Sequence, residues 1–257
     1  MPRKLGQHFL TNPSILEQIA SAACGEQTPR IVEIGPGRGA LTRHLLPRTG
    51  ELHAIELDSS LIPALQRQFS GHANFHLHHA DVLATDVSQW GPSVIVGNLP
   101  YYITSPILER FLALDASFER AVFLVQEEVA ERLRASPGSR DYGFFSVKTQ
   151  LICRVDVLKR VPPGAFSPPP KVSSAVVRLI RHSVMNEDNA ELLRFVGRCF
   201  AQKRKTLRNN LKGFYPGQLV DALPEASLRA EQLSIERLKD LHWRLSSYSR
   251  TMPMSQV

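Results

Sequence analysis

Between Arg30 and Gln126, short runs of β-branched and apolar residues alternate with longer amphipathic stretches. That alternation confines the chain to βαβ units around a parallel sheet, because parallel neighbours need a crossover long enough to hold a helix. The expected strands are 31–34, 52–57, 75–78, 94–97 and 121–125, and their carboxyl ends should line one crevice. Residues 142–153 read as a further amphipathic helix. Residues 155–161 and 174–180 read as antiparallel strands on the sheet edge, with a proline-rich loop, 162–171, between them. After about His182 the strand pattern stops, and 191–212, 217–223 and 235–245 read as helices; the polar tail 248–257 is expected to fray. The expected fold class is α/β, a Rossmann-like sheet over residues 1–182 followed by a small all-α domain over 183–257.

The first expected strand runs into Glu33-Ile34-Gly35-Pro36-Gly37-Arg38-Gly39. Glycines there let the backbone approach a ligand that larger residues would exclude, so Gly35 and Gly37 predict a nucleoside cofactor site. The Gly-x-Gly-x-Gly spacing differs from the Gly-x-Gly-x-x-Gly of a dinucleotide fold and is also met in ordinary tight turns. Glu56 ends the second strand, where a carboxylate accepts from both ribose hydroxyls, and Asp81, after the third, is placed to accept from an adenine amine. Either acid can equally be a solvated strand end or a helix cap. Three successive strand ends facing one crevice favour the ligand-binding reading.

Asn98-Leu99-Pro100-Tyr101 follows the fourth strand. An aromatic amine is a poor nucleophile because its lone pair is delocalised into the ring, so a catalyst must hold its N–H groups while the carbon to be transferred approaches in line. Asn98 Oδ1 and a backbone carbonyl near Leu99 can do that. Pro100 has no N–H to compete and stiffens the loop, while Tyr101 offers a face on which an extruded base stacks for about 1–3 kcal/mol. No strong base is required, since the alkylated amine is acidic enough to lose a proton to solvent. A lone Asn-x-Pro is also a plain turn ending a strand; its place at the crevice favours the pocket.

The formal net charge of +7 favours a polyanionic partner. From Arg194 to Lys212 the chain carries Arg194, Arg198, Lys203, Arg204, Lys205, Arg208 and Lys212 without one acid. On one continuous helix, Leu193, Val196, Phe200, Leu207 and Leu211 fall within a sector of roughly 60°, leaving a basic outside. Such a face is usually solvated, but a single sign unrelieved over about five turns favours RNA backbone. Arg140, in the run Ser136-Pro-Gly-Ser-Arg-Asp141, is a second candidate contact or part of an ordinary loop. His76, His78 and His79 near Asp81 invite a metal, but solvated strand-end histidines and no metal are expected. Cys24, Cys153 and Cys199 form no Cys-x-x-Cys pair and read as core thiols of a reducing compartment. With no apolar run approaching a membrane span and none behind the charged N-terminus, a cytoplasmic protein without membrane contact is expected.

Leu5-Gly-Gln-His-Phe-Leu10, residues 33–39, residues 98–101, Phe166-Ser-Pro-Pro-Pro-Lys-Val-Ser173, Gln202-Lys-Arg-Lys205 with Asn209 and Leu211, and Arg229-Ala-Glu-Gln-Leu-Ser234 occur in this order. Together they resemble the bacterial small-subunit ribosomal RNA adenine dimethyltransferase family, from about Leu5 to Leu245. The resemblance implies a class I methyltransferase sheet that binds S-adenosyl-L-methionine, a catalytic domain over 1–182 and an RNA-binding helical domain over 183–257. It implies that His8 and Leu10 touch the cofactor, with Gly35, Glu56, Asp81 and Asn98 completing the site. Family members commonly carry Asn where this chain has His8, so a ring nitrogen or the backbone makes that contact here. By the same resemblance Phe166 closes over the target adenine opposite Tyr101; from the residues alone it reads as a core anchor, in a loop that five prolines restrict. The implied substrate is two adjacent adenines near the 3′ end of small-subunit RNA, each dimethylated during ribosome biogenesis. The partner is a pre-assembled small subunit, and no obligate protein partner is expected.

A DNA adenine or small-molecule amine methyltransferase would use a related loop and pocket, but the basic C-terminal segment and its match disfavour both. A related large-subunit RNA dimethylase shares the catalytic domain, and residues 229–234 argue against it by resemblance. A methyltransferase fold can also bind RNA as an assembly or transcription factor without turnover; the intact 98–101 pocket favours an enzyme.

Overall fold

A computed structural model describes residues 8–25, 28–113 and 118–251. Leu5, Gly6 and Gln7 of the N-terminal motif and residues 252–257 of the tail lie outside the described residues. In chain order the regular elements are β1 (Phe9–Leu10), α1 (Pro13–Ala23), β2 (Thr28–Ile34), α2 (Thr42–Leu45), β3 (Thr49–Glu56), α3 (Ile62–Phe69), β4 (Phe75–His79), β5 (Ser93–Asn98), α4 (Thr104–Ala113) and β6 (Phe118–Gln126). They continue with α5 (Glu127–Arg134), α6 (Phe144–Ile152), β7 (Cys153–Val161), β8 (Phe166–Ser167), β9 (Ser174–Arg181), α7 (Glu187–Cys199), α8 (Leu207–Leu211), α9 (Gly217–Asp221) and α10 (Ile235–Thr251). Chain contacts divide them into one unit of residues 1–130 with 152–184 and another of 131–151 with 185–257.

The first unit carries a sheet in the order β4-β3-β2-β5-β6-β9-β7. β4, β3, β2, β5 and β6 are parallel, and β9 runs antiparallel between β6 and β7. The parallel strands fall where the β-branched runs place them, and the antiparallel pair forms the expected edge. Ile31, Val32, Ile34, Val94, Ile95, Val96 and Val122 are all buried, as strands covered on both faces require. Each such side chain contributes roughly 1.5–3 kcal/mol. α1 starts where Asn12 Oδ1 accepts from the Ile15 amide at 3.2 Å, with Pro13 at the first helical position. It buries Ile15, Leu16, Ile19, Ala20 and Ala23 in the same core cluster as Ile31, Val94 and Val122.

From β2 the chain winds outward through β3 to β4, then returns to place β5 on the other side of β2. That reversal leaves a crevice at the carboxyl ends of β2 and β5, where Ile34 is in register with Gly97. β1 pairs with β8, setting Leu10 opposite Phe166, so the segment from His8 and the proline-rich loop are held together at this end of the sheet.

The second unit departs from the expected division, which assigned residues 131–151 to the sheet domain. Gln150 Nε2 donates to the Leu133 and Ala135 carbonyls, the Gly138 amide donates to Glu231 O, and the Tyr142 and Phe200 rings meet at 6.2 Å. These bonds draw 131–151 into the helical unit. The expected helix over 191–212 is also broken. α7, capped by Asn186 and carrying Glu187 and Asp188 in its first turn, ends at Cys199, and α8 begins at Leu207. The turn between them is held by Asn210. Its Nδ2 donates to Cys199 O at 2.7 Å and Gln202 O at 3.2 Å, and its Oδ1 accepts from the Gln202 amide at 3.2 Å. The first two amides of α8 donate to Leu228 O and Ala226 O, which offsets part of the cost of the break. α10 continues to Thr251, so residues 248–251 are helical where fraying was expected.

Candidate active site

The β2–α2 turn opens the crevice. Gly35 has φ +63° and a Cβ built there would meet no atom within 4 Å, so its missing side chain is space left for a ligand. Gly37 has φ +60°, and a Cβ there would press on the Phe9 ring at 3.0 Å. The Gly37 amide donates to Glu56 Oε2 at 3.0 Å and the Asp58 amide to Glu56 Oε1 at 2.8 Å. Both carboxylate oxygens are thereby aimed by backbone, with a further lone pair each for a ribose hydroxyl.

His8, Leu10, Gly35, Gly37, Glu56 and the whole of 98–101 line one cavity. Asp81 lines an adjoining cavity with Val82, Leu57 and Ile103, and the two cavities share Gly35, Glu56 and Pro100. Asp81 Oδ1 accepts from the Leu83 amide at 2.8 Å, leaving Oδ2 free of that bond for an adenine amine. A bare glycine between two recesses, ribose acceptors at its flank and an acid among apolar walls fit an adenosyl group.

Glu33 also lines the first cavity and is 1% exposed. Burial pushes its carboxyl up to about 7, helped by the nearby Glu56 charge and opposed by the hydrogen bond from Thr42 Oγ1 at 2.7 Å. The motif carrying Glu33 was legible, but its position inside the cavity follows only from the sheet.

At the end of β5, Asn98 Nδ2 donates to the His8 carbonyl at 2.9 Å. Since a carbonyl only accepts, this fixes the amide orientation and leaves Oδ1 as an acceptor. The Leu99 amide donates to Leu124 O at 3.0 Å and its side chain is buried, which pins the loop to β6. Pro100 O accepts from the Ile103 amide and from Thr104 Oγ1, starting the turn into α4. Tyr101 is half-buried, and its hydroxyl bonds Ser174 Oγ at 2.7 Å. Burial raises that phenol above its ordinary range, opposed by the Ser174 bond.

Phe166 is placed differently from the wall implied by the resemblance. It is 4% exposed, packed in the core cluster with Leu10, and does not line the cavity. The core-anchor reading matches this position, because pairing with β1 turns the ring inward.

In the helical unit, the sequence's unrelieved basic run is relieved by folding. Arg208 and Lys212 both reach Asp221, at 2.9 and 3.4 Å, and Arg194 reaches Glu187 at 2.9 Å. Lys203 Nζ donates to Arg140 O at 2.7 Å and lies 4.0 Å from Glu231. Arg198 lies over the Phe214 ring and reaches Tyr215 Oη at 3.5 Å. Arg204 and Lys205 are exposed in the turn after α7 and have no acidic partner among the described residues. Arg140 and Lys203 line one basic recess with Arg132, a residue that sequence reasoning did not single out because it lies on an ordinary mixed-charge helix.

His76 and His78 are partly buried and stacked with His53 and Trp90, whereas His79 is exposed, as expected. His53 and Trp90 rings lie 4.5 Å apart, His53 and His76 4.8 Å, and His78 and Trp90 4.7 Å. Burial lowers His53 to about 4 and also lowers His78. Among the described residues no group of three or more His, Cys, Asp or Glu is arranged to hold a metal ion. The three cysteines are buried free thiols, and no described helix is long and apolar enough to cross a membrane.

The family model for ribosomal RNA adenine dimethylase matches residues 1–243. The chain is 45% identical over 254 residues to ribosomal RNA small subunit methyltransferase A of Acidobacterium capsulatum, covering 94% of this chain and 89% of that protein. A dimethyladenosine transferase from Plasmodium falciparum superposes with a TM-score of 0.80 at 27% identity, covering 95% of this chain and 99% of that one. The 23S rRNA methyltransferase ErmE superposes with a TM-score of 0.72 at 29% identity, covering 93% and 99%. With the match running through both units and the glycine turn and Asn98 loop meeting at one crevice, the chain belongs to the ribosomal RNA adenine dimethylase family.

Proposed function

We propose that this chain transfers methyl groups from S-adenosylmethionine to N6 of two adjacent adenines in small-subunit ribosomal RNA, giving N6,N6-dimethyladenine. The observation that carries this reading is the tether from Asn98 Nδ2 to the His8 carbonyl, which leaves Oδ1 as a fixed acceptor beside Tyr101 in the glycine-lined cavity. Bound S-adenosylmethionine supplies an electrophilic methyl group on a sulfonium. Gly35 and Gly37 give its backbone-lined bed, Glu56 accepts from the ribose, Asp81 accepts from its adenine, and Leu10 and His8 close the near side. The target amine donates to Asn98 Oδ1 and to the Leu99 carbonyl, which withdraws its lone pair from the ring by orienting the N–H groups. Pro100 keeps the loop stiff and Tyr101 carries the base, a flipped adenine paying its unstacking on that face. Phe166 supports this wall from the core through the β1 pairing.

RNA is held through the helical unit. Arg204 and Lys205 contact phosphate directly, Arg140 and Lys203 with Arg132 offer a basic recess, and Arg198 and Arg208 add further positive charge on this unit. The substrate is a pre-assembled small subunit in the cytoplasm, with no obligate protein partner.

The test is incubation of purified protein and labelled S-adenosylmethionine with unmodified small subunits, large subunits, free RNA and DNA, followed by mapping of methyl groups by mass spectrometry. Dimethyladenine at two adjacent positions in small-subunit RNA is expected. Label confined to large subunits or to DNA overturns the assignment.

A further inference from the structure

We propose that Glu33 senses the charge of the cofactor: it keeps a proton before binding, releases it to solvent when the sulfonium form binds, and regains one when only the thioether form remains. The inference rests on the methyl-transfer reading above and adds a regulation of that same cavity. Glu33 lines the cavity from β2, in register with Ala54 of β3 and Val96 of β5, and is 1% exposed. Its Oε2 accepts from Thr42 Oγ1 at 2.7 Å, and Oε1 has no hydrogen-bond partner among the described residues. A carboxylate placed there is a buried charge with one neutral hydroxyl to support it, so the carboxyl keeps its proton. Burial, opposed by the Thr42 bond and seconded by the Glu56 charge, holds it up to about 7.

The two acids of the cavity differ in their donors. Glu56 accepts a backbone amide on each oxygen, from Gly37 at 3.0 Å and from Asp58 at 2.8 Å, whereas Glu33 has the single hydroxyl of Thr42. The other titratable or charged residues lining the cavity are His8, Arg38 and Tyr101; α1 contributes only Leu16 and Ile19, and the turn into α2 only Ala40 and Leu41. S-adenosylmethionine carries a sulfonium and an ammonium against one carboxylate, a net positive charge, while its product S-adenosylhomocysteine keeps the ammonium and carboxylate and is neutral overall. A positive charge brought into a low-dielectric cavity favours the ionised form of a neighbouring acid. Glu33 therefore loses its proton to water as the sulfonium form binds. Methyl transfer removes the sulfonium charge, and the Glu33 anion, again among apolar walls, takes a proton back. The product is then held less tightly than the substrate, which favours the cofactor exchange that successive transfers to one amine require.

Isothermal titration calorimetry of S-adenosylmethionine and of S-adenosylhomocysteine into the full chain, in buffers of different ionisation enthalpy, counts the protons released. At about pH 6 the sulfonium form should release more than about half a proton, and the thioether form less than half as much. Affinity for S-adenosylmethionine should rise by about tenfold or more from about pH 5.5 to about pH 7.5, and Glu33→Gln should remove both the release and that rise. The ligand's own titration is common to parent and variant, so the difference between them isolates Glu33. Infrared difference spectra of the parent should show a carboxylic acid carbonyl band lost on binding S-adenosylmethionine, a measurement independent of whether Glu33→Gln folds. Proton release that persists in Glu33→Gln, equal release with the two ligands, or no release at all overturns the proposal while leaving the methyl-transfer reading intact. A folded parent that binds neither ligand overturns both.

Discussion

Asn98 Nδ2 donates to the carbonyl of His8, ninety positions earlier in the chain, at 2.9 Å. One hydrogen bond thereby joins the N-terminal segment to the end of β5 and orients the acceptor on which amine binding depends. Asn98→Ala removes both the tether and the acceptor. It should lower kcat by about 100-fold or more, as loss of a preorganised polar contact does, while cofactor affinity changes several-fold at most. Equilibrium binding of labelled cofactor beside steady-state kinetics separates the two effects.

Tyr101 and Ser174 form a second cross-chain tether, at 2.7 Å, and Ser174 is held between β6 and β7 through its pairings with Gln126 and Val161. Tyr101→Phe and Ser174→Ala should each cost about 1 kcal/mol in kcat/KM, and the double variant no more than either alone. Tyr101→Ala, which also removes the stacking face, should cost a further 1–3 kcal/mol or so, read in the same assay. Strict additivity of the two single changes contradicts the tether.

Glu33 holds its proton up to about 7 in the folded protein against an ordinary 4.5. The folded state therefore binds more protons between those values, and stability falls as pH rises through that window. Glu33→Gln should raise the Tm of cofactor-free protein above pH 7, by the equivalent of up to about 3 kcal/mol, with the gain vanishing below the unfolded value. A Tm difference that does not vary with pH rules out this origin.

Arg204→Glu with Lys205→Glu should weaken RNA binding and lessen the slope of log K against log salt by roughly 1–2, because each freed phosphate recovers its counterion. Arg208→Glu should perturb binding less, since Asp221 already engages that guanidinium. Equal slopes for parent and double variant would remove the turn after α7 from the RNA surface.

Asn210 is 6% exposed and bonds both sides of the α7–α8 turn. Asn210→Ala leaves the Cys199 and Gln202 carbonyls without that partner and should destabilise the helical unit by about 1–3 kcal/mol in urea unfolding. Asn210→Asp, which keeps only the acceptor, should fall between.

The sequence by itself determined the parallel sheet, its strand ends and the placement of several crevice residues at them. β-branched runs at crossover spacing admit few other arrangements, and Gly35, Glu56, Asp81 and 98–101 all sit at strand ends that such a sheet must bring together. It also identified the buried set Leu193, Val196, Leu207 and Leu211, although the helix drawn through them was wrong. Only the tertiary structure decided that break. No Gly or Pro marks residues 200–206, and the Cys199 carbonyl that ends α7 is met by Asn210, while the Leu228 and Ala226 carbonyls accept from the first amides of α8. Charge followed the same division: the basic residues were countable, but Asp221, Glu187 and Glu231 reached them only through folding. The inward turn of Phe166, the stacking of His53 and His78 on Trp90, and the tether from Asn98 to His8 all join residues far apart in the chain. Local periodicity carries the faces of elements, whereas the partner of a polar group is set by whatever the packed sheet and helices bring within 3 Å or so of it.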